Sequence, residues 1–271
     1  MRNSRPVIPI DNVSDPRIDV YTRLKDRDIA AMDGRFIAEG ELVVRRLLAS
    51  SYRTESVLLA DHQVEETAPI VPEGVTIYSA PADVVNKIVG FKFHSGVIGC
   101  GWRGEEKRLD DLAVLRGERE VNLVILPEIA NTDNLGSLIR ISSAFGATAM
   151  ILGENCCDPF YRQSIRVSMG TIFAMPIVRC TNLMEDLKRL KKEFEVELVA
   201  SVAEEKAEEL AGAKRVRKMG FLFGNEAQGL SREQIEACDR KVTIPMQLGT
   251  DSLNVSVAAG VVLYHFMQYA K

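Results

Sequence analysis

The chain has 271 residues, of which 46% are apolar and 27% charged. That composition excludes a disordered or collagen-like chain, and at roughly 150 residues per domain it allows one large or two modest domains without a disulfide framework. Basic side chains number 34 and acidic ones 38, for a net charge of −4 and a pI near 5.6. Such a balance weighs by itself against a nucleic-acid partner, whose binding domains usually carry a basic surplus.

Residues 1–20 are polar, contain Pro6, Pro9 and Pro16, and read as a loose arm without the apolar core of a signal peptide. From Tyr21 to Ser50 a helical pattern dominates, with Phe36, Leu42, Val43, Leu47 and Leu48 at helical spacing. Strand-like runs follow at 56–60 and 75–78, then a short helix at 82–88 and a strand at 96–99. Residues 1–100 therefore read as a compact α/β unit. Residues 101–120 are charged and hold three glycines, and read as a linker.

The texture then changes. Val121–Leu126, apolar except for Asn122, is a run of the kind found in buried parallel strands. The reading continues with a helix from Leu135 to Phe145, a strand at 147–152, a helix near Tyr161–Ser168 and a strand near Ile177. Next come a helix at 183–194, strands at 196–201 and 220–223, a helix at 232–237, a strand at 241–244 and a last helix from about Leu253. Alternating strands and helices over 121–271 predict an α/β domain with a mostly parallel sheet covered on both faces. Sites in such sheets lie beyond the carboxyl ends of the strands. The loops after Leu126, Phe223 and Ile244 are thus the places to look for chemistry.

Several chemistries find no support. His62, His94 and His265 are scattered and match no HExxH pattern, so no metal is expected. Five cysteines form no CxxC pair, and their odd number points to a reducing, cytoplasmic compartment. They read as small buried hydrophobes rather than nucleophiles. No stretch approaches the roughly 18 apolar residues of a membrane span. No GxGxxG follows the first strand, so nicotinamide binding is not supported.

The first loop runs from Pro127 to Asn134 and leads into a helix carrying Arg140 between Ile139 and Ile141. Asn134 stands at the helix start, where an Asn side chain can cap free N–H groups. Arg140 needs a partner if buried. Either an internal salt bridge or a phosphate-facing guanidinium would supply one. The second loop, Gly224 to Ser231, has a GxxxxG frame, but Leu230 stands where a P-loop needs lysine, which excludes triphosphate binding. Its glycine corner lets backbone approach a ligand closely, and Glu226 beside it can accept a hydrogen bond or proton. The third loop, Ile244 to Asn254, enters a helix with Ser256, Ala259 and Gly260 on successive turns. Ser252 reads as that helix's cap and Asn254, one turn inside, as site-facing.

Together these loops resemble the three motifs of the SpoU (TrmH-like) RNA 2′-O-ribose methyltransferases of the SPOUT superfamily. The first is Asn134-Leu135-Gly136 with Arg140 and Phe145-Gly146-Ala147. The second is Phe223-Gly224-Asn225-Glu226 with Gly229-Leu230-Ser231. The third is Ile244-Pro245-Met246 with Ser252-Leu253-Asn254-Val255-Ser256. The match covers residues 121–271. Phe36-Ile37-Ala38-Glu39-Gly40 resembles the L30e-like substrate-binding domain of the same family over roughly residues 20–100. Two departures stand out: Asn131-Thr132-Asp133 replaces a more usual Asp-Pro stretch, and Gly249 falls one place later than in some relatives.

The resemblance implies a deep C-terminal trefoil knot, an exception to unthreaded topology. It also implies S-adenosylmethionine held by Gly224, Ile244 and Leu253, with Met246 and Leu152 as lesser contacts. A homodimer formed through the C-terminal domain would place Arg140 of one subunit beside the cofactor of the other. The implied catalytic set is Asn134, Arg140, Glu226, Ser252 and Asn254. The implied substrate is a ribose hydroxyl of ribosomal or transfer RNA. RNA capture would fall to basic clusters: Arg23, Lys25 and Arg27; Arg45 and Arg46; Arg162 and Arg166; or 214–218. Residues 1–108 carry 15 basic and 16 acidic groups and the remainder 19 and 22, so any RNA-facing charge must be local. A non-catalytic RNA-binding paralogue and a small-molecule α/β enzyme are the alternative readings.

Overall fold

The computed structural model describes residues 6–22, 34–90, 93–225 and 227–269. They form two compact units, Met1–Glu105 with Pro159–Phe173, and Glu106–Asp158 with Ala174–Lys271. Pro159–Phe173 lies within the span read as the second domain, yet it is built into the first unit.

The first unit is a mixed five-stranded sheet in the order β1-β4-β3-β5-β2. Its strands are β1 (Val7–Pro9), β2 (Arg35–Glu39), β3 (Thr54–Ala60), β4 (Thr76–Ala80) and β5 (Val97–Trp102). Val7–Pro9 pairs in parallel with Ile77–Ser79, so this part of the expected loose arm is an edge strand, where a proline is tolerated. Arg35–Glu39 pairs antiparallel with β5 where a helix was expected. Four of its five residues are buried, so the strand shows no polar alternation to distinguish it from a helix. Helices α1 (Glu41–Leu48) and α2 (Ala82–Val89) bury Val43, Val44 and Leu47, and Val84, Val85, Ile88 and Val89.

The helix Arg162–Val167 and its flanks complete this unit. Phe36 meets Phe160 and Phe173 with ring centroids 5.2 and 5.4 Å apart. Arg162 forms an ion pair with Glu39, whose side chain is wholly buried.

The second unit holds seven strands, all parallel, in the order β10-β12-β9-β11-β6-β7-β8. They are β6 (Val121–Leu126), β7 (Ala149–Leu152), β8 (Ile177–Arg179), β9 (Glu197–Ser201), β10 (Glu208–Glu209), β11 (Lys218–Phe223) and β12 (Arg240–Thr243). The central pair, β6 and β11, is buried at every position, which is why both are mostly apolar, with Asn122 and Lys218 as the polar exceptions. Four helices belong to this unit: α3 (Thr132–Ala144), α4 (Leu183–Lys192), α5 (Arg232–Ala237) and α6 (Val255–Tyr264). Helix α6 packs on α3.

Two expectations change here. The stretch read as a linker contributes Leu109, Leu112 and Leu115 to the second core. Lys218, in one of the basic clusters considered for RNA capture, is buried and donates its ammonium to the carbonyls of Leu115 and Phe194 at 2.8 and 3.1 Å.

Candidate active site

The carboxyl ends of β12, β9, β11 and β6 are neighbours in one parallel sheet, so the loops leaving them meet. A cleft of about 570 Å³ opens there. Its walls include Phe223–Asn225, Ala227–Leu230, Ile244, Met246 and Ser252–Val255. Of the residues expected to hold the cofactor, Gly224, Ile244, Met246 and Leu253 line the cleft. Leu152 is absent from its lining: fully buried in β7, it is paired with Leu126 and Arg179. Ser201–Glu204, which follow β9, form part of the wall although the sequence analysis did not single them out. The only signal for them was position, since they follow a strand of the same parallel sheet.

The loop after β11 is shaped by Asn225. Its side-chain oxygen accepts from Ala227 N at 3.0 Å and Gln228 N at 2.8 Å, and its carbonyl accepts from Gly229 N at 3.0 Å. The loop therefore folds back so closely that a methyl group at Gly224 would run into the backbone of Gly229 and Leu230. Ser231 then caps α5 in a reciprocal pair with Gln234. Glu226 lies outside the described residues.

The other two loops are joined directly. Asn131, not Asn134, caps α3, accepting from Asp133 N and Asn134 N, so the helix starts at Thr132 and Asn134 lies inside its first turn. Asn254, not Ser252, caps α6, accepting from Ser256 N at 2.9 Å. The same Asn254 donates its Nδ2 to Asn134 Oδ1 at 3.1 Å. Ser256 Oγ donates to the Asn134 carbonyl at 3.3 Å. Ser252 lines the cleft and is exposed. Asn254 thus combines the capping and site-facing roles that the sequence had divided between two residues.

Arg140 takes a different place. It is exposed on α3, has no ion-pair partner among the described residues, and is not part of the cleft wall. Of the two partners considered for it, the internal salt bridge is not found among the described residues. No lysine or arginine lines the cleft among the described residues.

Most of the other groups considered for chemistry or RNA capture have structural partners. Arg45 bonds Glu41 and Glu66, Arg46 bonds the Met169 carbonyl, and Arg166 bonds Gln163. Arg215 pairs with Glu120. Arg23, Lys25 and Arg27 lie outside the described residues. Burial pushes the Cys156 thiol up to about 11, and its Sγ donates to the Leu126 carbonyl at 3.1 Å. Among the described residues no cluster of three or more His, Cys, Asp or Glu could hold a metal ion, and no helix is long and apolar enough to cross a membrane.

A wholly parallel sheet with a glycine-cornered loop and a cleft at its carboxyl edge has the architecture by which α/β enzymes hold a ligand or cofactor. The sequence profile of the SpoU rRNA methylase family matches residues 122–264. An uncharacterized tRNA/rRNA methyltransferase of Mycobacterium tuberculosis is 33% identical over 258 residues, 92% of this chain and 88% of the relative. A 23S rRNA (guanosine-2′-O-)-methyltransferase of Acinetobacter baylyi is 31% identical over 71% of this chain and 78% of its own. The crystal structure of an AdoMet-bound rRNA methyltransferase from Sinorhizobium meliloti superposes with a TM-score of 0.82 at 26% identity, covering 95% of this chain and 96% of that one. The chain belongs to the SpoU rRNA methylase family, and its enzymatic class is RNA methyltransferase.

Proposed function

We propose that this methyltransferase uses S-adenosylmethionine to methylate a ribose 2′-hydroxyl of structured ribosomal or transfer RNA. The observation that carries the reading is the Asn254–Asn134 hydrogen bond, which ties a polar pair to the rim of a cofactor-sized cleft. The cleft suits the cofactor. Its wall combines apolar side chains with Ser201, Glu204, Asn225, Gln228, Ser252 and Asn254 and carries no cationic group among the described residues, which fits a sulfonium better than a phosphate-bearing nucleotide. When bound, the cofactor supplies an electrophilic methyl group. Gly224, Ile244, Met246 and Leu253 would hold its adenosyl part, with Ser252 beside them.

The remaining work falls to the chain itself. Positioning supplies a large share of the barrier for transfer to a weakly acidic alcohol. Asn134, fixed by Asn254 and Ser256, orients the sugar, and Glu226 is proposed to join that set. Arg140 is proposed to contact the substrate phosphate and hydroxyl and to lower the alcohol's pKa, because a guanidinium stays protonated and cannot serve as an ordinary base.

Arg140 is not among the described residues that line this cleft in its own chain, which favours a homodimer in which it completes the partner's site. Exposed apolar residues support such an assembly. Leu253, Val257, Val261 and Tyr264 recur every three to four residues into and along α6 and remain 36–52% exposed. The first unit is read as the L30e-like RNA-holding domain, and the chain from β12 into α6 as the knotted segment, whose return onto α3 suits that path. Five unpaired thiols suit a reducing cytoplasm.

The test is transfer of tritiated methyl from S-adenosylmethionine to RNA, with 2′-O-methyl mapping and calorimetric titration of the cofactor. Transfer to a ribose hydroxyl with cofactor binding is the expected result. Cofactor binding without transfer, or methylation of a base, overturns it.

A further inference from the structure

The outer edge of the loop between β12 and α6 is a tight turn, Gln247–Thr250. Thr250 N donates to the Gln247 carbonyl at 3.1 Å, and the two central residues, Leu248 and Gly249, have φ of 56° and 73°. Two successive positive φ angles inside such a bond are the geometry of a type I′ turn, which favours Asn, Asp or Gly at both central positions. Gly249 conforms. Leu248 does not, because a left-handed conformation drives its Cβ against the following carbonyl.

Leu248 is also the most exposed of the large hydrophobic residues described, at 102%. Its backbone is strained and its side chain stands in water, and no contact in this chain accounts for either. Strain of that kind is retained where function requires it.

The location indicates what Leu248 meets. Met246 and Ser252, on either side of the turn, line the cleft, and Asn254 beyond them holds Asn134. On the reading proposed above, the substrate ribose arrives at this rim. Specific recognition of RNA mostly targets loops and bulges, where the bases around the chosen ribose can be splayed out of the stack. Apolar side chains inserted between bases are a recurrent way of holding such a gap open. The residues that flank the turn most closely, Gln247, Thr250 and Asp251, are exposed and polar, so Leu248 is the turn's one apolar side chain.

We propose that Leu248 is a substrate-contacting residue that packs against the nucleobase next to the methylated nucleotide and holds the target out of its stack. This inference rests on the RNA 2′-O-methyltransferase reading. The deciding experiment compares wild type with Leu248→Gly, using tritiated S-adenosylmethionine and total RNA from cells lacking this protein.

Glycine adopts φ 56° freely, so the variant is expected to keep or raise its melting temperature and to bind the cofactor as wild type does. Its kcat/KM for RNA is expected to fall about tenfold or more. Leu248→Asn, which also tolerates the turn, should behave like glycine, and Leu248→Met should retain transfer. Wild-type rates in Leu248→Gly overturn the proposal. So does a change in its oligomeric state by sedimentation, which would make a second copy the occupant. If wild-type protein transfers no methyl to any RNA, the underlying reading falls before any variant is compared.

Discussion

The Asn254 side-chain amide donates to the Asn134 side-chain oxygen at 3.1 Å across 120 residues of chain. The other end of Asn254 accepts from Ser256 N and starts α6. One side chain therefore fixes a helix terminus and aims a site residue. Asn254→Asp separates the two roles. A carboxylate still caps the helix and suits its positive end, but it offers Asn134 no donor. Thermal stability is expected to be unchanged while RNA methylation falls about tenfold or more. Asn254→Ala loses both roles and should also cost about 1 kcal/mol of stability. Full activity in Asn254→Asp would remove the asparagine pair from the mechanism.

Arg140 is exposed and unpaired among the described residues, so Arg140→Ala should leave stability within about 0.5 kcal/mol of wild type. Methyl transfer should nevertheless be lost while calorimetry still shows cofactor binding. Gly224→Ala places a methyl group against the backbone of Gly229 and Leu230 and should lose cofactor binding. If Arg140 completes the partner's cleft, mixing the two inactive variants restores transfer through mixed dimers. A mixture that stays inactive after subunit exchange would place Arg140 in its own chain's site.

Glu39 is a carboxylate with no exposed side-chain surface, compensated by Arg162. Removing the arginine leaves a buried charge without its partner. Arg162→Ala is expected to destabilise the first unit by about 3–5 kcal/mol, measured by urea unfolding. Adding Glu39→Gln to that variant should recover part of the loss, because an amide is less costly to bury than a charge.

Burial pushes the Cys156 and Cys157 thiols up to about 11, and Cys100 and Cys238 up to about 12. Free thiols in an unfolded chain ionise near 8.5 or so. Between those limits only the unfolded chain loses protons, so stability is full below about pH 8.5 and falls as pH rises toward 11–12. The urea midpoint should therefore be lower at pH 10 than at pH 8. Iodoacetamide labelling at pH 8 should be slow in the folded protein and fast after unfolding.

The sequence alone determined what depends on neighbours along the chain. A nearly all-apolar run marked β6 because a strand buried on both faces needs no polar alternation. The parallel sheet followed from alternating elements, and the sheet's carboxyl edge pointed to the loops that form the cleft. Within those loops, Gly224, Ile244, Met246 and Leu253 were named by the resemblance to the family's motifs, and all four line the cleft.

Tertiary structure decided whatever depends on a distant partner. Val7–Pro9 is too short to carry a period and becomes a strand only by pairing with Ile77–Ser79. Arg35–Glu39 carries local features compatible with a helix, and its pairing with β5 makes it a strand. Leu152 sits on the expected strand but points into the sheet's core, which strand assignment cannot reveal. Asn254 could be read as either a cap or a site residue. It is both because Asn134 stands 3.1 Å from its amide, and a hydrogen bond between groups 120 residues apart forms only once the fold brings them together.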